Sequence, residues 1–360
     1  MRKKILFILS LPPPIHGPSI IGENIFKSDK INKEFKTEYI NSNLSNNIDH
    51  INKFSFYKIY KYLNIIYRVL RSLLFNSPDL IYYTLNTKGL GFYKDFFICL
   101  LLKFRSKKII FHFHNKGINK SSGLILNRIL YKLIFQNSKC IVLSSKLIYD
   151  LKNYFKKENI FVLHNGILDI EEPIDFKKNN NKVNIIFLSN YLKSKGVIDL
   201  IDACKLLMKS TSNFVCNVIG GDGDFTYEYL NKYVSSNNLQ DHVNIVGKKT
   251  GIEKHKYLIF SDIMVLPSYE DCLPTVLIEA LKYSLPIISS NEGGITDIVH
   301  HNINGFISKR NPMEINKYLK LLIKDRKLLN RMSKESRKIY KKKFTISLFE
   351  KSLINILNKD

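Results

Sequence analysis

Short apolar segments alternate with helical patterns along most of the chain, and this alternation occurs twice. In the first half, segments such as Lys4–Leu11 and Lys107–His114 are rich in β-branched and aromatic residues, as buried parallel strands are. Segments between them, including Phe56–Phe75, repeat apolar residues with helical spacing. The pattern restarts at Val183 and continues through Leu285–Ser290. We therefore predict a sheet of five parallel strands with helices in each half.

A polar, low-complexity segment, Leu168–Lys182, separates the two patterns and is the predicted linker. We expect an N-terminal Rossmann-like domain over residues 1–167 and a second one over residues 183–343. The final segment, residues 344–360, has helical spacing and predicts a C-terminal helix that can pack back on the N-terminal domain. Two domains also suit a chain of 360 residues, because one hydrophobic core rarely grows that large.

The chain is strongly basic, with 56 Lys and Arg against 31 Asp and Glu and a formal charge of +25. Such a charge favours a polyanionic partner, whether nucleic acid, anionic lipid or a phosphorylated substrate. An ordinary surface rich in Lys also explains it, since Lys, Asn and Ile are abundant throughout. The sequence has no RRM, KH, helix-turn-helix or zinc-finger pattern, so we predict no nucleic-acid partner. An anionic membrane surface is the partner that the charge favours.

The sequence gives no sign of export or of membrane insertion. The start, "MRKKILFILSLPPP", resembles a signal peptide, but "PPPIHGPS" replaces the small-residue cleavage site. The longest apolar run, Phe96–Leu102, is far below the ~20 residues of a membrane helix. Five scattered cysteines without C-x-x-C spacing predict reduced thiols, with neither disulfides nor a zinc site. We expect a cytoplasmic protein, peripheral at most on the inner face of the plasma membrane.

The block from Pro267 to Phe306 combines several features that suit an anionic, hydroxylated ligand. Its helix, predicted over Leu273–Tyr283, begins behind a strand end, where free N–H groups suit an anion. Glu279 lies inside that helix, where its carboxylate can accept two hydrogen bonds from a ribose. Asp271 precedes the helix, with seven residues between the two carboxylates. The turn Gly293–Gly294 can bring backbone amides close to a ligand, because glycine has no Cβ.

This block resembles the retaining GT-B glycosyltransferases of family 4, whose mark is E-x7-E in this setting. "PSYEDCLPTVLIEAL" is similar to their "PS..EG.P.vllEA", and "NEGGITDIVHHNINGFI" to their "GG.pEii.dg.nG.l". The resemblance covers nearly the whole chain and implies a GT-B fold, an α/β architecture of two tandem Rossmann-like domains facing across a cleft. Asp271 then occupies the family's first Glu position, facing the transferred sugar, and Glu270 stands one residue too early. The donor-binding residues implied in this block are Leu273, Pro274, Thr275, Glu279, Gly293 and Gly294.

A second segment, "FLSNYLKSKGVIDLIDACKLL", matches the family's "GR…KG…l..A". The resemblance implies that Lys195 grips the donor phosphates during catalysis, and a Lys at a helix start suits a phosphate. Asn190 occupies the family's Arg position, so one cation is missing unless Lys193 replaces it. "NVIGGDGDF" resembles the family's turn beside the nucleotide base and places Gly221 in the donor site. Its spacing differs from G-x-G-x-x-G, which argues against NAD binding.

Two strand ends in the first half complete the predicted site. "PPPIHGPSIIGENI" resembles the family's glycine loop through Gly17, although Pro18 stands where the family has a second glycine. "IIFHFHNKG" places His112 and His114 on one face of a strand end. The family has a His here that contacts the transferred sugar, and His114 fits that position best. For His112 a core position and a functional role both remain open, and a metal site would need a third ligand that the sequence does not show.

The resemblance therefore implies a retaining glycosyltransferase that needs neither a metal nor a cofactor. We expect a UDP-sugar or GDP-sugar as donor and a saccharide or lipid-linked saccharide as acceptor, in the synthesis of a cell-surface polysaccharide such as capsule or lipopolysaccharide. The alternative is a catalytically degenerate protein that binds the nucleotide sugar or serves as a scaffold in a glycosyltransferase complex. Asn190, Asp271 and Pro18 favour that alternative, because they depart from the family pattern, whereas Lys195 and Glu279 argue against it.

Overall fold

A computed structural model describes residues 2–44, 56–105, 108–169 and 182–359 of the chain. Contacts divide the chain into two compact units. The N-terminal unit comprises residues 1–167 together with 346–360, and the C-terminal unit comprises residues 168–345. Most of the predicted linker, residues 170–181, lies outside the described residues.

The N-terminal unit is built on a six-stranded parallel sheet in the order β2-β1-β3-β4-β5-β6. All five residues of β3 are buried, as parallel strands covered on both faces require. The strands are β1 (Lys4–Leu9), β2 (Lys36–Asn41), β3 (Leu80–Thr84), β4 (Lys108–Phe113), β5 (Lys139–Val142) and β6 (Ile160–Val162). The helices are α1 (Gly17–Phe26), α2 (Asp29–Glu34), α3 (Phe56–Arg71), α4 (Gly89–Phe104), α5 (Ile118–Ser121) and α6 (Ile125–Phe135), and a π-helical turn, Ser72–Asn76, follows α3.

The C-terminal unit repeats this plan with a second six-stranded parallel sheet, in the order β12-β11-β10-β7-β8-β9. Its strands are β7 (Val183–Leu188), β8 (Phe214–Ile219), β9 (Val243–Gly247), β10 (Ile263–Leu266), β11 (Ile287–Ser290) and β12 (Gly305–Ser308). Its helices are α7 (Val197–Met208), α8 (Tyr227–Ser236), α9 (Gly251–Phe260), α10 (Thr275–Lys282), α11 (Ile295–Ile298), α12 (Pro312–Lys324) and α13 (Arg326–Lys343).

The prediction of five strands per sheet was wrong, because each sheet has a sixth strand at one edge. The missed strands are β2 and β12, which lie at the outer ends of their sheets. In β2 one residue of six is buried, so its sequence lacks the continuous apolar run that marks a central parallel strand. β12 has only four residues and begins with Gly305, whose Cβ would lie 1.9 Å from the carbonyl oxygen of Ile287. Close pairing with β11 thus requires a residue of low β-propensity at this point.

The C-terminal helix, Ile346–Asn358 (α14), belongs to the N-terminal unit. Phe349 and Leu353 are buried in the same hydrophobic core as Phe7 of β1 and Ile21 of α1. Truncating a buried Leu to Ala typically lowers the unfolding free energy by about 2–5 kcal/mol. The buried Leu353 of α14 therefore contributes to the stability of the N-terminal unit.

The helices of the described residues are short or charged. The 18-residue α13 is long enough to approach a bilayer's thickness, but its sequence, "RKLLNRMSKESRKIYKKK", is dominated by basic residues. Within the described part of the chain, no helix combines the length and the apolar character that crossing a membrane requires.

Candidate active site

The predicted site residues of the C-terminal unit meet at the point where its strand order reverses. β7 lies between β8 and β10, so the chain extends the sheet first on one side of β7 and later on the other. Open α/β sheets bind ligands in the crevice that such a reversal leaves at the carboxyl ends of the strands. Lys195 follows β7 and Asp271 follows β10, which places both at this crevice.

Lys195 and Asp271 form an ion pair there. The Lys195 Nζ atom lies 2.6 Å from Asp271 Oδ2 and also donates a hydrogen bond to the Glu270 carbonyl oxygen at 3.0 Å. Ser268 Oγ donates to the same Oδ2 atom at 3.1 Å. The two charged side chains are only 19% and 14% exposed, so water screens their attraction weakly. An anionic ligand that reaches this crevice must share or replace Asp271 as the partner of Lys195.

Two glycines allow the loops of the crevice to pack closely. Gly196 has a φ of +73°, and a Cβ there would lie 2.6 Å from the carbonyl oxygen of Pro267. Gly293 has a φ of +49°, and its Cβ would lie 2.3 Å from the carbonyl oxygen of Asp271. The next amide, that of Gly294, donates a hydrogen bond into the same loop. Packing between loops therefore requires glycine at these positions even before a ligand approaches.

Glu279 lies on α10 and pairs with a lysine that the sequence did not indicate. The Lys254 Nζ atom, on α9, lies 2.7 Å from Glu279 Oε1. The second carboxylate oxygen, Oε2, is buried and has no hydrogen-bond partner within the described residues. A buried carboxylate oxygen without a partner is costly, so it is well placed to accept hydrogen bonds from a ligand's hydroxyl groups.

The helix α10 begins at Thr275, two residues later than predicted. Pro274 is the N-cap residue and has an extended ψ of 117°. Leu273, as the residue before a proline, is itself disfavoured in helical conformation, so both stay in the preceding loop. No side chain among the described residues caps this helix end, and its first N–H groups can therefore bind an anion.

Asn190 and Gly221 follow the neighbouring strands β7 and β8 and contact each other. The Gly221 N–H donates a hydrogen bond to Asn190 Oδ1 at 3.4 Å. Asn190 therefore joins two loops, and it supplies no positive charge where the resemblance implies an Arg. The Lys193 backbone N–H donates to Asp224 Oδ2 at 2.8 Å, which anchors the loop that carries Lys195.

The N-terminal unit has a cavity of about 640 Å³ at the carboxyl ends of its central strands. His16 and Pro18, the two neighbours of Gly17, line it together with His114. Gly17 opens α1, where the His16 side chain accepts a hydrogen bond from the Ser19 N–H. The volume lies in the range of pockets that hold small ligands.

His112 and His114 lie side by side at the end of β4, with ring centroids 4.1 Å apart. His112 is fully buried and its Nδ1 is hydrogen-bonded to the Tyr82 hydroxyl, which favours the core position. Burial, reinforced by the nearby His16, lowers the pKa of His114 to about 3. The imidazole of His114 is therefore neutral near pH 7, and its buried Nε2 has no partner in the described part of the chain. It can exchange a hydrogen bond with a ligand hydroxyl but cannot serve as a cation.

A family model matches most of the C-terminal unit. Residues 169–339 match the model described as glycosyl transferases group 1. The match covers just under half of the chain, and it shows that the C-terminal unit is similar to this family. The matched segment contains Asn190, Lys195, Asp271, Glu279 and the Gly293–Gly294 turn, so all the crevice residues described above lie within it.

Curated relatives are similar to about half to two thirds of the chain. An uncharacterized glycosyltransferase of Methanocaldococcus jannaschii is 28% identical over 238 residues, covering 64% of this chain and 64% of its own. The UDP-Gal:α-D-GlcNAc-diphosphoundecaprenol α-1,3-galactosyltransferase of Escherichia coli is 29% identical over 174 residues, covering 47% of this chain and 43% of its own. The matches thus span less than two thirds of these relatives' lengths.

Solved structures confirm the predicted fold class over the whole chain. The Anabaena protein HepE, solved in complex with UDP-glucose, superimposes with a TM-score of 0.72 at 16% identity, covering 99% of this chain and 100% of that chain. At this identity the similarity establishes the GT-B fold of two parallel-sheet units.

The predicted site residues fall into two groups, one in each unit. In the C-terminal unit the structure joins Lys195 to Asp271 and packs the glycine turn against Asp271. In the N-terminal unit His114 lies at the cavity that the neighbours of Gly17 also line. The sequence missed Lys254, because its contact with Glu279 links two helices that follow different strands and leaves no spacing signal. No group of three or more potential metal ligands occurs in the residues that the structure describes.

Proposed function

We propose that this protein is a retaining glycosyltransferase. It transfers a sugar from a nucleoside diphosphate sugar, a UDP-sugar or a GDP-sugar, to a saccharide or lipid-linked saccharide. The observation that carries the proposal is the Glu279 carboxylate, which Lys254 holds by one oxygen while the other is buried and unpartnered. A pair of vicinal ribose hydroxyls is the donor element that suits such an acceptor.

The donor's diphosphate would bind beside Glu279, at the crevice between the loops after β7 and β10. Lys195 would contact the phosphates, and the backbone N–H groups at the start of α10 would donate further hydrogen bonds to them. Once Lys195 turns from Asp271 to the phosphates, the Asp271 carboxylate would be free to accept hydrogen bonds from the sugar. The Gly293–Gly294 turn packs against Asp271, which keeps its backbone close to the same ligand.

The acceptor would bind in the cavity of the N-terminal unit, beside the neutral imidazole of His114. Retention of configuration is the outcome that the resemblance to family 4 implies, with the leaving diphosphate assisting the incoming hydroxyl as its base. The main contribution of this chain would be electrostatic stabilisation of that leaving group by Lys195 and the α10 amides. The reaction as proposed assigns no role to a metal ion.

A lipid-linked acceptor places the reaction at the cytoplasmic face of a membrane, within the synthesis of a cell-surface polysaccharide. The E. coli relative supports this acceptor class, since its name specifies a diphosphoundecaprenol acceptor and a UDP-galactose donor. The formal charge of +25 suits an anionic membrane surface.

The proposal is tested by titrating the purified chain with UDP, GDP and their common sugar conjugates, and then by following donor hydrolysis. We expect one base to be preferred, with slow hydrolysis of one sugar conjugate. Glu279→Gln should weaken nucleoside diphosphate binding roughly tenfold, because the amide nitrogen cannot accept the ribose hydrogen bond. Lys249→Met, two residues before α9 and away from this pair, is the matched control and should bind as the wild type does.

Two results would contradict the proposal. Tight donor binding without turnover on any lipid-linked or soluble saccharide would favour the degenerate scaffold. Absence of binding to every nucleotide sugar, together with salt-sensitive binding to RNA or DNA, would replace the enzyme with a nucleic-acid-binding protein.

A further inference from the structure

Three neighbouring helices of the N-terminal unit carry apolar side chains on their outward faces. In α3, the buried residues Ile65 and Val69 lie on one side of the helix. At 3.6 residues per turn, a continuous apolar stripe occupies the opposite side. The exposed residues of this stripe are Phe56, Ile59, Tyr60, Leu63, Tyr67 and Leu70.

The helices beside α3 continue this surface. α4 packs against α3, and α6 packs against α4. Leu90, Phe97 and Phe104 lie seven residues apart on α4, so they fall on one face of the helix, and all three are more than half exposed. On α6 the exposed apolar side chains are Ile125, Leu126, Ile129 and Leu133. We call the outward faces of α3, α4 and α6 the helical surface.

The exposed charges of these three helices are all positive. Their basic residues number eight, whereas Asp95 of α4 is their sole acidic residue and is 0% exposed. The basic positions Arg68 and Arg71 flank the apolar stripe of α3, and Arg128 and Lys132 flank that of α6. Apolar patches of this extent are uncommon on monomeric soluble proteins and usually mark an interaction site.

We propose that the helical surface docks on an anionic lipid bilayer. Interfacial helices combine an apolar face with flanking Lys and Arg, because the apolar side chains enter the headgroup boundary while the cations attract anionic lipids. A second copy of this chain fits less well, since face-to-face association would bring like charges together with no exposed acidic partner on these helices. The formal charge of +25 adds to the attraction toward an anionic surface.

The helical surface also continues into the cavity that contains His114. Ile59 of α3 and Leu90 and Phe97 of α4 are exposed on the surface and line that cavity. Lys58 and Lys94 line it as well, and the Lys94 ammonium is paired with the buried Asp95. An acceptor whose lipid remains in the bilayer could therefore present its saccharide beside His114. This part of the inference deepens the proposed function and rests on it, whereas docking itself does not.

The test is co-sedimentation of the full chain with vesicles of phosphatidylcholine, alone or with 30% phosphatidylglycerol. We expect binding to the anionic vesicles that weakens as salt is raised. The double variant Leu63→Ser/Tyr67→Ser should bind at least tenfold more weakly, because both outward side chains lose apolar area. Arg71→Gln and Lys132→Gln should each reduce binding about fivefold on anionic vesicles.

The matched control is Ile252→Ser/Met313→Ser, which removes two even more exposed apolar side chains from the C-terminal unit and should bind as the wild type does. Wild-type binding no stronger to anionic than to neutral vesicles would overturn the proposal. So would a lipid-free dimer that Leu63→Ser/Tyr67→Ser dissociates, because the surface would then be a protein interface. Nucleotide-sugar binding measured without vesicles separates this outcome from failure of the proposed function, since it should be unchanged in the surface variants.

Discussion

Replacing Lys254 with Met tests whether this lysine stabilises the Glu279 carboxylate. The substitution keeps most of the aliphatic side chain and removes the ammonium group that lies 2.7 Å from Glu279 Oε1. The other oxygen, Oε2, is already buried without a partner in the described residues. Lys254→Met therefore leaves neither carboxylate oxygen of Glu279 with a hydrogen-bond partner among the residues that the structure describes.

The expected cost lies between two limits. Breaking an exposed ion pair costs at most about 1 kcal/mol, whereas removing one partner of a buried pair costs about 3–5 kcal/mol. The Lys254 and Glu279 side chains are 19% and 11% exposed, so we expect a loss of about 2 kcal/mol in unfolding free energy. Combining Lys254→Met with Glu279→Gln removes the unpaired charge. The double variant should therefore lose less unfolding free energy than the sum of the losses in the two single variants. The coupling energy should be about 1–2 kcal/mol.

Urea unfolding provides the free energies, and hydrogen exchange of peptides from α9 and α10 assigns the loss to the C-terminal unit. The control is Lys249→Met, which breaks the exposed pair between Lys249, before α9, and Glu253 of α9 and should change stability by less than about 0.5 kcal/mol. Single-variant effects that add within about 0.5 kcal/mol would refute the reasoning, because Lys254 and Glu279 would then act independently.

Three further predictions concern the loops and His114. Gly293→Ala should lower the unfolding free energy by more than about 1 kcal/mol, because its φ is +49° and its Cβ would lie 2.3 Å from the Asp271 carbonyl oxygen. Thermal unfolding measures this loss, and Gly221→Ala, whose Cβ would make only ordinary contacts, is the control. Lys195→Met should weaken binding of a nucleoside diphosphate about tenfold but leave nucleoside binding unchanged in calorimetry, and an equal loss for both ligands would exclude a phosphate contact. Burial lowers the pKa of His114 to about 3, so the unfolded chain takes up a proton below about pH 6.5 while the folded chain does not. The unfolding free energy should therefore fall between pH 6.5 and pH 3 by at most about 1.4 kcal/mol per pH unit. In urea unfolding, His114→Gln should reduce this dependence on pH.

The sequence determined the central architecture of both units. Strands such as β3 and β10 are buried along their whole length, and their sequences are therefore continuous apolar runs that predict a central parallel strand. The missed strand β2 left no such run, because only one of its six residues is buried, and β12 is only four residues long and begins with Gly305. A strand that is mostly unburied, or short and opened by a glycine, can therefore escape the apolar pattern.

The candidate site divides in the same way. Motif spacing predicted Asp271, Glu279 and Gly293 as site residues, because they lie within one strand–loop–helix–turn segment whose local order the chain itself sets. Only the tertiary structure joined Lys195 to Asp271 and Lys254 to Glu279, which are separated by 76 and 25 residues. Such pairs depend on which strands become neighbours in the sheet, and that order is decided by the packing of the whole unit.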